Sequence, residues 1–444
     1  MAATDASSVV KKKQRLIGGL GRHNYSGSSC YFDSLPEEIT LEILFRLTAE
    51  DLSSSKCVSK LWSSFISRPT FGNAHLQRQQ EEQGIIFTTV AKPTNVIPNY
   101  QYNHFSISLT PPIPPSLNPR KELKMPFLKL KKWGTEEQVV DENDKEAVLC
   151  LKASCDGLLL FQNKYNPLLL YISNPITSHF QALPPTKDPC SNWALFPDHY
   201  SASVGKYKVF AILGRSKFRT LTVRTGYCDA KATTRTYPWM VWGKSCDSDD
   251  FFNVSSQIVQ FQKNLFWLTT EKDDADNSPF LTCEECYYLY IFDIKARKPP
   301  ARKQVPHHLV QPSPYTPCNS PHLLSVLNGG SLCLTVVSPH QLQMFVLHDT
   351  LTNVWTSSYC IRLQSLRNHP PLTSFLSDNT CLVAMRGVDS TNLSNLVKVI
   401  IHLDDELWLY DLGTQEPRQI GRLSKDRKLT RPYFFHSNTL VTLH

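Results

Sequence analysis

The residue types best suited to chemistry in this 444-residue chain fall in a few short clusters. Cys283 and Cys286 make a C-x-x-C pair, but a zinc site needs a second pair of ligands at suitable spacing, and none lies nearby. Glu284 and Glu285 between the thiols would raise their pKa rather than activate them. Asp273, Asp274, Asp276 and Asn277 supply oxygen ligands without the glycine and distal glutamate of an EF-hand loop. His307 and His308 stand in a Pro-rich stretch with no carboxylate at ligand spacing, which reads as a surface loop. Asp404, Asp405 and Glu406 directly precede a strand and read as a solvated turn. There is no G-x-S-x-G elbow, no G-x-x-x-x-G-K-[ST] phosphate cradle and no H-E-x-x-H pair. With 14 histidines, some meet acidic residues by chance. We therefore expect no catalytic residue, no metal and no cofactor.

The stretch that organises the chain is residues 32–71. Ser34 precedes Leu35, Pro36 and Glu37, which predicts a capping residue with a glutamate three positions later and proline in the opening turn. Leu35, Ile39, Ile43, Leu44 and Leu47 then recur at helical spacing. Residues 49–55, polar around Leu52, predict one or two further turns. Cys57, Val58, Leu61, Trp62, Phe65 and Ile66 form a second apolar face, which Pro69 is expected to stop. A module of about 40 residues is too short to bury so many large side chains alone. Either a partner covers them, or they are the first layer of a larger core. The pattern leaves both open.

Leu35-Pro36 with acidic residues behind it, Ile43-Leu44 with Leu47, and Cys57-Val58-Ser59-Lys60-Leu61-Trp62 resemble the F-box motif without a gap. Thr48 stands where the family often has proline, a departure in a connecting loop. The resemblance implies docking onto a Skp-type linker protein, and through it a cullin scaffold and its RING subunit. The residues it assigns to linker binding are Leu35, Pro36, Ile39, Ile43, Leu44, Leu47, Leu52, Val58, Trp62 and Phe65. Some of these must hold the module's own helices together, and the sequence does not separate the two sets.

Composition bounds the remainder. Hydrophobic residues at 41% and aromatics at 11% are enough for a substantial core, while 30 prolines against 17 glycines predict many short elements joined by turns. No apolar run approaches the roughly 20 residues of a membrane-crossing helix. The N-terminal residues are basic without a following apolar region, so no secretory signal is expected. The 13 scattered cysteines read as buried free thiols rather than a disulfide framework. We expect a soluble chain in the nucleus and/or cytoplasm, away from membranes. Lys11-Lys12-Lys13-Gln14-Arg15 is either a nuclear localisation signal or part of a solvated tail. Neither it nor the basic residues 120–132 interleave arginines with aromatics, so no nucleic acid is expected.

Along the chain, residues 1–30 read as a disordered tail, 31–72 as the helical module and 73–83 as a linker that continues helical. Residues 84–444 read as one large all-β domain, with 105–147 a loop or insertion. A weak repeat appears there. Alternating apolar residues run into Asn or Asp at Leu170–Asn174, Leu289 to Asp293, Met344 to Asp349 and Leu407 to Asp411, at steps of roughly 60 residues, with Asn174 about two steps before Asp293. A degenerate copy falls at Leu221-Thr222-Val223-Arg224. Each copy has the chemistry of a hairpin with an Asx-type turn. This suits a propeller blade, whose radial closure protects sheet edges; an irregular pair of β-sandwiches is the competing arrangement. The terminal strands, near residues 85–90 and 439–443, are expected to share one blade.

Ser154-Cys155-Asp156-Gly157-Leu158-Leu159, followed by the Leu170–Asn174 strand and Pro175, resembles the opening of plant F-box-associated, kelch-like domains. Asn328-Gly329-Gly330 with Trp355 is similar to a kelch repeat, although the other copies lack the double glycine. The resemblance implies a kelch-like β-propeller of about six blades behind a small all-α F-box. It also implies a substrate-recognition subunit of an SCF-type (Skp–cullin–F-box) ubiquitin ligase, with an unknown target protein held by the propeller. The alternative is an F-box/propeller binding module for protein or carbohydrate acting outside a ligase.

Overall fold

Two of the N-terminal helices open on a capping side chain and two on a proline. The computed structural model describes residues 35–78, 83–91, 101–108, 121–122, 149–190, 192–198, 205–213, 217–224, 239–242, 253–254, 256–272, 285–295, 300–310, 322–327, 331–337, 341–350, 352–362, 381–384, 398–403, 406–411, 417–422, 427–437 and 439–441. The first helix, α1 (Glu37–Phe45), starts with Glu37 and Glu38 at the positive end of its dipole. Pro36 is its N-cap at φ −53° and ψ 147°, so proline precedes the first turn instead of lying in it, and Ser34 falls outside the described residues. Helix α2 (Ala49–Ser55) is capped by Thr48, whose Oγ1 accepts from the Asp51 N–H at 3.1 Å and donates to the Asp51 carboxylate at 2.8 Å. The position where the motif often carries proline is thus a working cap. Ser59 caps α3 (Lys60–Ile66). Pro69 does not merely stop α3: it opens α4 (Pro69–Arg78), where its missing N–H has no partner to lose.

Residues 1–47, with α1, and residues 48–444 are separate compact units. Among the described residues, the second unit is all β from residue 83 apart from one short helix. Its strands run β1 (Gln83–Ala91), β2 (Gln101–Ser108), β3 (Lys121–Glu122), β4 (Leu149–Cys155), β5 (Leu158–Asn163), β6 (Leu170–Asn174) and β7 (His179–Ala182). Next come β8 (Asn192–Pro197), β9 (Lys206–Ile212), β10 (Phe218–Arg224), β11 (Met240–Trp242), β12 (Asn253–Val254), β13 (Val259–Phe261), β14 (Asn264–Lys272), β15 (Glu285–Asp293) and β16 (Ala301–Gln304). After α5 (His307–Val310) follow β17 (His322–Leu327), β18 (Ser331–Val337), β19 (Gln341–Asp349) and β20 (Val354–Arg362). The last are β21 (Cys381–Ala384), β22 (Lys398–Leu403), β23 (Glu406–Asp411), β24 (Pro417–Arg422) and β25 (Arg427–Ser437).

Among the described residues these make six antiparallel sheets. Four are meanders in chain order, the fifth runs β12-β14-β15-β16 with β13 also paired to β14, and the sixth runs β25-β1-β2-β3. Neighbouring sheets meet mainly through their first strands: β25 with β4, β4 with β8, β13 with β17, β17 with β21, and β21 with β25. Aromatic packing of Phe210 and Phe218 on Trp267 and Phe292 joins the β8–β11 sheet to the β12–β16 sheet. The circuit closes. This is a β-propeller of about six blades, as the repeat suggested.

The repeated motif marks the third strand of its sheet each time: β6, β10, β15, β19 and β23. Side-chain turns of the expected kind are seen at three of the copies, while residues 412–416, after Asp411, lie outside those described. Asn174 Oδ1 accepts from Ile176 N–H at 2.9 Å, Asp293 Oδ1 from Lys295 N–H at 2.8 Å, and Asp349 Oδ2 from Thr352 N–H at 3.2 Å. Asp156 and Gly157, at φ 47° and 79°, turn the β4–β5 hairpin, a conformation that an Asp-Gly pair adopts with least strain.

Two expectations need correction. The closing strand is β25, residues 427–437, while 439–441 lie beyond it outside any strand; pairing with β1 selects length and register that end-of-chain apolarity does not reveal. The stretch 105–147, read as a loop or insertion, begins inside β2 and contributes β3, which pairs Phe105 with Glu122; its other residues lie outside those described.

The cysteines divide by environment. Cys190 and Cys333 are buried, Cys57 and Cys360 are exposed, and all four are free thiols. Loss of water pushes Cys190 up to about 11 and Cys333 up to about 12. At pH 8, alkylation of the native protein should therefore label Cys57 and Cys360 first. Cys190 should react on the order of 100-fold more slowly, because a two-unit rise removes about that factor of thiolate. Peptide mass spectrometry reads this directly, and equal labelling would contradict the packing. Because these folded-state values are raised, the neutral thiols favour the fold below pH 9, and stability falls as pH climbs from about 9 towards 12.

Candidate docking surface

Helix α1 is apolar on two faces, and only one is covered. Thr40 and Leu44, one turn apart, are 3% and 0% exposed. Pro36, Ile39 and Ile43, at spacings of three and four, lie on another face; Ile39 is 50% exposed and Ile43 37%. The exposed carboxylates of Glu37, Glu38 and Glu42 flank this face, with Arg46 pairing Glu42 at 3.6 Å across exposed side chains. Such a pair contributes little to stability.

The helices of the second unit show the same division. Leu52 at 0% and Phe65 at 3% are core residues, whereas Val58 is 72% exposed and Leu61 39%. Val58 sits between α2 and α3, and Leu61 lies in the first turn of α3. Leu35, Leu47 and Trp62 are intermediate. The structure thus splits the residues that the F-box resemblance assigns to linker binding. Leu44, Leu52 and Phe65 are buried, while Pro36, Ile39, Ile43 and Val58 are exposed. Leu61, exposed in the first turn of α3, is not in that assignment.

The clusters weighed for chemistry are not brought together. Cys286 lies in β15 and accepts from Gln304 Nε2 at 3.6 Å, while Cys283 and residues 273–277 fall outside the described residues. His308 is exposed on α5, a short helix where a loop was expected. Glu406 begins β23. Among the described residues no three His, Cys, Asp or Glu side chains stand close enough to hold a metal ion, and no helix is long and apolar enough to cross a membrane.

The chain thus pairs a helical module carrying exposed apolar side chains with a propeller that follows it in sequence. The helical part is an F-box domain: residues 32–73 match that family, a span that includes α1 to α3 and crosses the boundary between the two units. The chain is similar to plant F-box proteins. It is 28% identical over 196 residues to "F-box protein At5g65850" of Arabidopsis thaliana, covering 43% of this chain and 42% of that one. With the Arabidopsis thaliana protein At1g47300 it shares 30% identity over 157 residues, 34% of this chain and 46% of the relative. The chain thus spans under half the length of these relatives. Among solved structures, KlHsv2 with loop 6CD replaced by a Gly-Ser linker aligns with 47% of this chain and 57% of its own, at 9% identity and a TM-score of 0.27.

Proposed function

We propose that this chain is the substrate-recognition subunit of an SCF-type ubiquitin ligase. The observation that carries this reading is the uncovered half of the F-box apolar set: Pro36, Ile39 and Ile43 on one helix, Val58 and Leu61 at another. Aliphatic side chains left in water beside a buried set are what a dedicated partner removes from solvent, at roughly 25 cal/mol per Å². The partner is a Skp-type linker protein, which bridges to cullin and RING subunits.

The propeller, read as the F-box-associated, kelch-like type on its Ser154 to Leu159 hairpin, then holds a target protein. Its contribution is to raise the local concentration of target lysines near a ubiquitin thioester. That task needs no acid–base group from this chain, and we read the protein as a non-catalytic adaptor. Free thiols on both the surface and the interior suit a reducing compartment, the nucleus and/or cytoplasm.

Cys57 supplies a built-in reporter, since it is exposed and adjoins Val58. On mixing the full chain with purified Skp-type linker, the two should co-purify, and Cys57 should become protected from alkylation while Cys360 stays reactive. Failure of the intact chain to retain the linker would overturn the ligase reading. If the linker binds but no target accumulates when proteasome activity is blocked, the chain acts as a binding module outside a ligase.

A further inference from the structure

We propose that residues 439–441 are a clasp that seats helix α4 on the β4–β7 blade, beside the rim to which α2 is bonded directly, and holds α4 in one fixed relation to that blade. All of the groups involved belong to the second compact unit. The proposal concerns mechanical coupling within this chain, and it stands whether or not the ligase reading holds.

The contacts converge on one rim of the blade, where the β4–β5 and β6–β7 turns lie side by side. Asn174, fully buried at the end of β6, donates from Nδ2 to the Thr439 carbonyl at 3.0 Å and to the Val441 carbonyl at 2.6 Å. Its Oδ1 accepts from Ile176 N–H at 2.9 Å, so both ends of the amide are occupied. Thr439 Oγ1 donates to the Asp156 carbonyl in the β4–β5 turn at 2.7 Å. Tyr207, on the next blade, donates to the Asp156 carboxylate at 3.0 Å. The clasp is therefore anchored to two turns and, through Asp156, to two blades.

Its outer side carries helix α4. Val441, 3% exposed, enters the apolar cluster of Leu158, Leu160, Leu170 and Ile172, and Leu76 of α4 packs on that cluster. Leu440 lies against Gly72 of α4: a Cβ placed on that glycine would sit 3.3 Å from the Leu440 carbonyl oxygen and 3.8 Å from its Cβ. Gly72 is thus a point of close approach between helix and clasp, where an added Cβ would ask the Leu440 carbonyl to give by a few tenths of an ångström. Ser53 of α2 donates directly to the Ile176 carbonyl in the β6–β7 turn at 3.1 Å. A segment held on one side by buried amide bonds and on the other by a glycine contact is a fastening, not a loose tail.

Two measurements on the full chain test this. In the first, Asn174→Ala strands two buried carbonyls. Hydrogen exchange of the α4 amides should then accelerate at least tenfold, with the β14–β15 amides unchanged. Unchanged α4 exchange, or acceleration spread evenly over all blades, overturns the clasp. The second holds even if Asn174→Ala fails to fold. In Gly72→Cys/Leu440→Cys the Cβ separation of 3.8 Å falls at the centre of the disulfide range. Mild oxidation should link these two positions in high yield and slow α4 exchange below the reduced protein. Absence of that cross-link in a folded protein refutes the proposal. Because neither readout uses the linker protein, failure here is distinguishable from failure of the ligase reading.

Discussion

Replacing Ile39 and Ile43 together by aspartate is expected to abolish linker capture while leaving propeller unfolding unchanged. Both side chains are already half in water, so their loss removes little that the isolated chain uses. Only the exposed part of each is left to bury in the complex, so each would lose about 0.6–1.5 kcal/mol of apolar burial, and each new carboxylate would have to be desolvated. The lost burial alone is about one to two decades in dissociation constant at about 1.4 kcal/mol per decade, and the desolvation of two carboxylates adds to it. The change in helix propensity, under about 1 kcal/mol per residue, is too small to explain such a loss. Leu44→Ala is the counterpart: at 0% exposure it should cost about 2–5 kcal/mol of local stability and weaken binding only through the fold. Titration calorimetry alongside thermal melts separates the two. A double variant that binds within a few-fold of the parent would remove α1 from the interface.

The second large effect concerns ring closure. A chain ending after residue 426 lacks β25, the strand paired with β1 from Gln83↔Ser437 to Ala91↔Arg427. Its removal leaves β1 with an open edge, uncovers the wholly buried Ile86, and deprives β4 and β21 of the strand between them. Every other sheet keeps its own strands, yet the circuit is broken. We expect loss of the single cooperative thermal transition and a gain in aggregation, as unpaired strand edges meet between molecules. A chain ending after residue 437 retains β25 and loses only the clasp, so it should keep the transition. If the shorter chain melts like the longer one, closure by β25 is not what stabilises the ring.

Much of this architecture could be read from residues in advance. Asx turns write themselves into sequence because Asn174, Asp293 and Asp349 perform their hydrogen bonding within a few positions, and the third strands followed from them. What escaped notice depended on partners far along the chain. Pro69 suits the end of one helix and the start of the next equally well, and only α4 decided between them. The closing strand is fixed by register against β1, which local apolarity does not encode. The docking set was legible as a set but not as a surface. When both faces of α1 are apolar, periodicity finds the helix and is silent about which of Ile39 and Leu44 faces water.

The order of synthesis gives the β1–β25 pairing a meaning in time. At roughly 5–20 residues per second, β1 emerges from the ribosome tens of seconds before β25 exists to pair with it. Blades built as local meanders can form as they emerge, but the first sheet must wait as an unfinished half. Residues 439–441 come later still. Helix α4 is thus made early and fastened last, so a nascent chain released early would carry an unseated α4 beside an open ring.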